Sequence, residues 1–218
     1  MILSAGLGSR MRPLTDHTPK PLIEVAGKPL IVWHIERLRA LGFVDIVINV
    51  AYLAQQIIDH LGDGSAYGVS IQYSNEEEEG ALETAGAIVK ALPLLGETFL
   101  VINGDVWTDY PFDRDFRLDK KSLAHLILIE NPPHNEEGDF YLDDGGEKYT
   151  YSGVGYYSKR MFDHLSYGKR GLAPLLFDSL ERGEVSRELY LGRWYDIGTV
   201  ERLESLNRIL NSDNLNFI

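Results

Sequence analysis

Two consecutive stretches, Pro29-Leu-Ile-Val-Trp-His-Ile-Glu-Arg-Leu-Arg-Ala-Leu41 and Ile46-Val-Ile-Asn-Val50, set the fold class. In the first, Ile31, Ile35, Leu38 and Leu41 fall on one face of a helix, and Pro29 suits its start. The second is an unbroken apolar run, the pattern of a strand buried on both faces. Working outward, Phe99–Asn103 (FLVIN) and Leu123–Ile129 (LAHLILI) read as strands in the same way. Tyr52–Leu61 and Glu83–Leu92 read as helices. Strands alternating with helices of about ten residues predict an α/β protein with a mostly parallel sheet covered on both faces.

The pattern loosens after about residue 108. Pro111, Pro132-Pro133, Gly138 and Gly145-Gly146 mark loops and short hairpin-like strands at Phe140–Asp143 and Gly153–Tyr157. Helical patterns return at Leu172–Arg182 and Thr199–Leu210, and Asn211–Ile218 reads as a frayed tail. A length of 218 residues suits one domain, 1–218. Within it, 1–108 forms a nucleotide-binding half and 109–218 a half that shapes a second pocket.

The formal net charge of −12 disfavours nucleic acid as a partner, because an acidic surface repels a polyanion. No apolar run approaches the ~20 residues that span a bilayer, so no membrane partner is expected. The N-terminus lacks a basic region and a cleavage-type segment, and the chain has no cysteine. The expected location is the cytoplasm.

Against that acidity, the cations near the N-terminus stand out. Met1–Leu3 ends an apolar strand and is followed by Ser4-Ala5-Gly6-Leu7-Gly8-Ser9-Arg10-Met11-Arg12-Pro13. Small residues let backbone N–H groups approach an anion closely. Arg10, Arg12 and Lys20, the last between two prolines, supply charge, with Arg12 the weakest candidate. A P-loop is excluded because no Lys-Ser/Thr follows Gly8. A dinucleotide fingerprint is excluded because Met11 occupies the third glycine position and Pro13 follows. On Gly6 and Gly8 alone, a plain strand-end turn fits as well. Likewise Asp105, after Phe99–Asn103, and Asp196, in Trp194-Tyr-Asp-Ile-Gly-Thr199, each fit a turn residue or a helix N-cap when taken singly.

Taken together, the strings carry more. Ser4-Ala-Gly-Leu-Gly-Ser-Arg-Met-Arg-Pro-Leu-Thr15, Thr18-Pro-Lys-Pro-Leu22 and Val25-Ala-Gly-Lys-Pro-Leu30 closely resemble the signature of the sugar-1-phosphate nucleotidyltransferases. The resemblance implies a Rossmann-like, mixed and mostly parallel sheet, and a reaction between a nucleoside triphosphate and a sugar 1-phosphate. It implies that Ala5, Gly6, Gly8 and Ser9 wrap the triphosphate, while Arg10 and Lys20 bind phosphates and act in catalysis. It also implies Asp105 and Asp196 as a Mg²⁺ pair, and Thr84, in Leu82-Glu-Thr-Ala-Gly86, near the base and α-phosphate. Within the acidic run Glu76–Glu79, spacing favours Glu78 as acceptor for the ring N–H of uracil. A carboxylate accepts from guanine too, so the base stays open.

Further stretches, among them Lys90-Ala-Leu-Pro-Leu-Leu-Gly96 and Asn103-Gly-Asp-Val-Trp-Thr-Asp109, resemble the branch that joins UTP to a muramic-type sugar phosphate. That likeness implies Asn103, Asp139 and the Ser152-Gly153 turn as the sugar-phosphate pocket. For the lactyl carboxylate of such a sugar, Lys169 or Arg170 are candidate partners, or else plain helix-start charges. Two departures stand against the family pattern. Glu83 replaces a common glycine, and only Glu147-Lys148 fills a usually longer segment before Tyr149. The alternatives are a guanylyltransferase acting on mannose 1-phosphate and a catalytically silent nucleotide-binding subunit. The four groups Arg10, Lys20, Asp105 and Asp196 together favour an enzyme.

Overall fold

Strand β1, Ile2–Leu3, is two residues long yet lies at the centre of the main sheet, between two longer parallel partners. The computed structural model describes residues 1–143 and 145–212. After β1 come the hairpin strands β2 (Glu24–Val25) and β3 (Lys28–Pro29), helix α1 (Leu30–Ala40), strand β4 (Asp45–Val50) and helix α2 (Ala54–Leu61). Strand β5 (Ser70–Asn75), helix α3 (Glu83–Ala91), and strands β6 (Thr98–Asn103) and β7 (Val106–Thr108) follow. The remainder is β8 (Ala124–Ile129), β9 (Phe140–Asp143), β10 (Gly145–Ser158), α4 (Ala173–Glu181), β11 (Val185–Leu189), β12 (Trp194–Asp196) and α5 (Val200–Ser212).

The main sheet has the order β11-β8-β10-β6-β1-β4-β5, with β9 joined to β10. The pairs β1–β4, β1–β6, β4–β5 and β11–β8 are parallel, and only the pairs made by β10 are antiparallel. One reversed strand therefore sits inside an otherwise parallel sheet.

Alternation along the strands feeds two cores. Ile46, Ile48, Val50, Leu100 and Ile102 pack with Ile31, Ile35 and Leu38 of α1 and Ile57 and Leu61 of α2. Val47, Phe99, Val101, Leu126 and Leu128 point the other way, onto Ala85 and Ile88 of α3 and Leu176 of α4. Both faces are thus covered, as the apolar runs require. A third cluster seats Leu203, Leu206 and Leu210 of α5 against Met11, Val25, Trp107 and Ile197. Among the described residues no helix is long and apolar enough to cross a membrane.

Two expectations change. Gly153–Tyr157 is the inner part of the 14-residue β10, which pairs with β9 at one end and inserts between β6 and β8 at the other. The register shift between Tyr151 and Gly155 lets one strand serve both neighbours, and it breaks the period that a long strand would show. Asn211 belongs to α5, whose Leu206 and Leu210 are still buried near its end. Residues 213–218 of the expected tail lie outside the described residues.

Candidate active site

Open parallel sheets bind ligands beyond the carboxyl ends of their strands, where the chain order reverses direction. Here that point falls between β1 and β6. A cleft of about 250 Å³ opens there, lined by Ser4, Ala5 and Gly6 after β1, Asn103 and Asp105 after β6, and Lys20. Asn49, Glu76, Glu83 and Thr84 close the opposite side.

The phosphate-type loop is rigidly built. Gly8 has φ 62°, and a β-carbon there would lie 2.9 Å from Thr15 Cγ2 and 3.2 Å from Lys20 Cβ. Thr15 Oγ1 donates to Gly8 O at 2.9 Å, so the loop is pinned to the turn behind it. Ser9–Met11 then form a 3-10 turn with Met11 fully buried, which leaves Ser9 and Arg10 outward. Arg12 pairs with Asp16 at 3.3 Å on the surface. Arg10 has no hydrogen bond or ion pair among the described residues.

Lys20 is 9% exposed, and its Nζ donates to Asp105 Oδ2 at 2.7 Å. The Pro-Lys-Pro segment is stiff by composition, which limits the ammonium to a small volume facing Asp105. The small sheet β7–β12 does the rest. It pairs Asp196 with Val106, and Ile197 N donates to Asp105 O at 2.9 Å. That bond joins the backbones of the two segments, but the side chains part: Asp105 lines the cleft, whereas Asp196 lines a neighbouring hollow with His134, Trp194 and Arg202. Asp196 Oδ2 meets Arg202 Nη1 at 3.0 Å and His134 Nε2 at 3.3 Å, whereas its buried Oδ1 has no hydrogen-bond partner. The space over Gly198 is shared by Asp196 Oδ1, Arg202 Nη2 and Arg10 Nη2, so the loop arginine reaches the neighbourhood of Asp196. His34 packs behind this wall, and burial pushes its imidazole down to about 4, so it is neutral at pH 7 beside Asp105.

The structure brings Ala5, Gly6, Lys20, Thr84, Asn103 and Asp105 to one cleft. Glu78 is exposed and does not line it; the acid of that run that does is Glu76, fully buried and two residues earlier. Ser152 is buried with its hydroxyl donating to Ile127 O at 2.7 Å, and its carbonyl accepts from Trp194 Nε1 at 2.8 Å. Asp139 accepts from Tyr151 N at 2.8 Å and Asn135 Nδ2 at 3.2 Å, which fastens the 131–139 loop to β10. Lys169 lies 3.7 Å from Glu83, and Arg170 exchanges backbone hydrogen bonds with Leu82 and Gly86, so this segment straps the start of α3. Glu83 itself holds φ 61°, the left-handed region that favours glycine. That explains why a glycine is common at this place in the family pattern.

Gly153 touches the cleft from behind. Its φ is 77°, and a β-carbon there would come within 2.6 Å of Asn103 Nδ2. Gly153→Ala is expected to lower the melting midpoint by about 5–10 °C, combining left-handed strain of ~1–2 kcal/mol with overpacking of ~1–3 kcal/mol. A thermal melt within about 2 °C of the wild type would contradict that contact.

Known proteins are similar to this chain in sequence and fold. The nucleotidyl transferase family model matches residues 1–141. The chain belongs to the nucleotidyl transferase family. The matched region carries the glycine-rich loop, Lys20, Asp105 and the strands that position them. A relative from Neisseria meningitidis, N-acetylmuramate alpha-1-phosphate uridylyltransferase, is 54% identical over 94% of each chain. A mannose-1-phosphate guanyltransferase from Yarrowia lipolytica is 40% identical over 59% of this chain and 36% of its own. A solved Bacillus anthracis chain described as a glucose-1-phosphate thymidylyltransferase superposes with TM-score 0.84 at 23% identity, covering 100% of this chain and 96% of that one. The last likeness establishes the shared fold, a mixed and mostly parallel sheet with helices.

Glu76, Asn49, His134 and Arg202 are site residues that the sequence does not single out. Asn49 lies inside an apolar strand run, Glu76 opens a run of four acids and Arg202 sits in a helical pattern, and nothing local marks any of them, or His134 beside Pro132-Pro133, as a site residue.

Proposed function

We propose that this nucleotidyl transferase couples UTP to N-acetylmuramate α-1-phosphate, giving UDP-N-acetylmuramate and pyrophosphate in the reuse of cell-wall sugars. The observation that carries this reading is the 54% identity with the Neisseria uridylyltransferase along 94% of both chains, including the second half that shapes the sugar side. The guanyltransferase likeness is partial by comparison, at 59% of this chain and 36% of that one.

The attacking phosphate oxygen of a sugar 1-phosphate is already anionic, so no general base is needed. It bonds to the α-phosphorus of UTP as the bond to the β-phosphate oxygen breaks, and pyrophosphate leaves with the electron pair. The chain's task is alignment and charge neutralisation. Backbone N–H groups of the Ala5–Ser9 loop cradle the triphosphate. Arg10, with no hydrogen bond or ion pair among the described residues, is available to the outer phosphates. Lys20, held 2.7 Å from Asp105, is the cation this reading assigns to the charge that develops at the α-phosphate.

A divalent cation fits the remaining groups. Asp196 Oδ1 is buried with no hydrogen-bond partner in the hollow next to the cleft that Asp105 lines. No cluster of three or more acids and histidines that could hold a metal exists among the described residues. Two carboxylates with phosphate and water completing the shell suit Mg²⁺. When bound it would supply positive charge to the phosphates.

The test is a panel of N-acetylmuramate 1-phosphate, N-acetylglucosamine 1-phosphate and mannose 1-phosphate against UTP and GTP with Mg²⁺, read by pyrophosphate release. The expected leader is UTP with the muramic sugar, and omission of Mg²⁺ is expected to remove the signal. Turnover of GTP with mannose 1-phosphate alone would overturn the assignment.

A further inference from the structure

We propose that Glu76 is a positioning residue that ties the two walls of the nucleotide cleft together through Asn49. Ser4 N donates to Asn49 Oδ1 at 2.8 Å, and Asn49 Nδ2 donates to Glu76 Oε1 at 2.8 Å. The other carboxylate oxygen, Oε2, accepts from Leu82 N at 2.9 Å. Exposure is 4% at Ser4, 3% at Asn49, 0% at Glu76 and 3% at Leu82, so water does not compete for these bonds.

Topology gives the relay its reach. Ser4, Asn49 and Glu76 lie at the carboxyl ends of β1, β4 and β5, which are consecutive neighbours in the sheet. The hydrogen bonds therefore run across three strands at the rim of the cleft. One terminus is the backbone where the phosphate loop begins. The other is the residue before Glu83 and Thr84, which line the opposite wall. Burying a carboxylate is costly unless every oxygen is satisfied, and here each oxygen takes one protein N–H. A fold needing only a filled space at this point would be served by an apolar side chain. The relay instead sets the distance between the loop that grips phosphate and the segment that starts α3.

The chemistry of the pair gives a sharp test, and it rests on the proposed reaction only for its choice of substrate. In Glu76→Gln the new amide N–H₂ confronts either Asn49 Nδ2 or Leu82 N, so one buried donor is left unmatched. In Asn49→Asp two carboxylates face each other. The double variant, Asn49→Asp with Glu76→Gln, restores the match. Its carboxylate at position 49 accepts from Ser4 N and from the new amide at position 76, whose oxygen accepts from Leu82 N. All three bonds return with the charge moved by one strand.

Steady-state kinetics and thermal melts of the three proteins decide the matter, with rates taken well below each melting midpoint. KM for UTP is expected to rise about tenfold or more in Glu76→Gln and in Asn49→Asp. KM for the sugar phosphate at saturating UTP is expected to stay within about twofold, and the double variant to recover UTP KM to within about threefold of wild type. A Glu76→Gln protein that melts lower but keeps the wild-type KM for UTP would show a fold-supporting residue only and overturn the proposal. A double variant no better than the worse single variant would overturn it too. If the wild type uses GTP and not UTP, the assigned substrate fails, and the same three variants read with GTP still decide the relay, since it holds backbone rather than base.

Discussion

Asp105→Asn is expected to lower kcat by about 10²–10³ or more while the melting midpoint stays within about 3 °C of wild type. The side chain is isosteric, so nothing in the packing changes. The contact that sets the small β7–β12 sheet beside the cleft is Ile197 N to the Asp105 carbonyl, at 2.9 Å, which the substitution leaves alone. What disappears is the charge. The neutral amide removes the anionic partner of Lys20 and one of the two carboxylates proposed to hold a divalent cation. Pyrophosphate release at saturating substrates measures the first quantity and a thermal melt the second. A variant with near-normal turnover would remove Asp105 from the metal-binding and charge-balancing roles assigned to it.

Lys20→Met carries the second large effect, a fall in kcat of about 10²–10³, and a distinctive companion change. Lys20 is buried against the loop, with its Cβ close to the site of Gly8, so its ammonium is preorganised rather than swung in from solvent. Methionine keeps the volume of the stem and deletes the charge. That charge pairs with Asp105 at 2.7 Å, the carboxylate proposed to hold a divalent cation. Removing it leaves Asp105 unopposed. The Mg²⁺ concentration for half-maximal rate is therefore expected to fall or hold while kcat collapses. A variant whose lost rate returned at high Mg²⁺ would mean that Lys20 serves only to assemble the metal site.

Much of this site is legible in the sequence because its key residues sit in short local strings. The glycine-rich loop, the lysine between prolines and the aspartate beyond a buried strand are each local patterns, and their roles follow from the family signature that those patterns jointly resemble. Glu76 is not legible, for a reason of register. Strand β5, Ser70–Asn75, mixes polar and apolar residues and carries little apolar signal, so its parity goes unread. That parity separates Glu76, which turns inward, from Glu77, and Glu78, of the same parity, is exposed because it lies beyond the end of the strand at Asn75. Spacing within four identical acids points instead to Glu78. The helices and the apolar strands at Asp45–Val50, Thr98–Asn103 and Ala124–Ile129 are readable to within a few residues. Strand β11 is not, because at the sheet edge its Ser186, Arg187 and Glu188 need not be apolar. Strands β7 and β12 are equally silent, since three-residue strands exist only once their partner is beside them.

The reversed strand β10 has a consequence for how the chain comes off the ribosome. β6 is completed at Asn103, but the stretch that covers its open edge is Val154–Ser158. At a synthesis rate of roughly 5–20 residues per second, that edge waits several seconds for a partner about 50 residues behind it. Over that interval the nascent chain presents an apolar strand with unpaired backbone groups, the kind of surface to which chaperones and neighbouring nascent chains adhere.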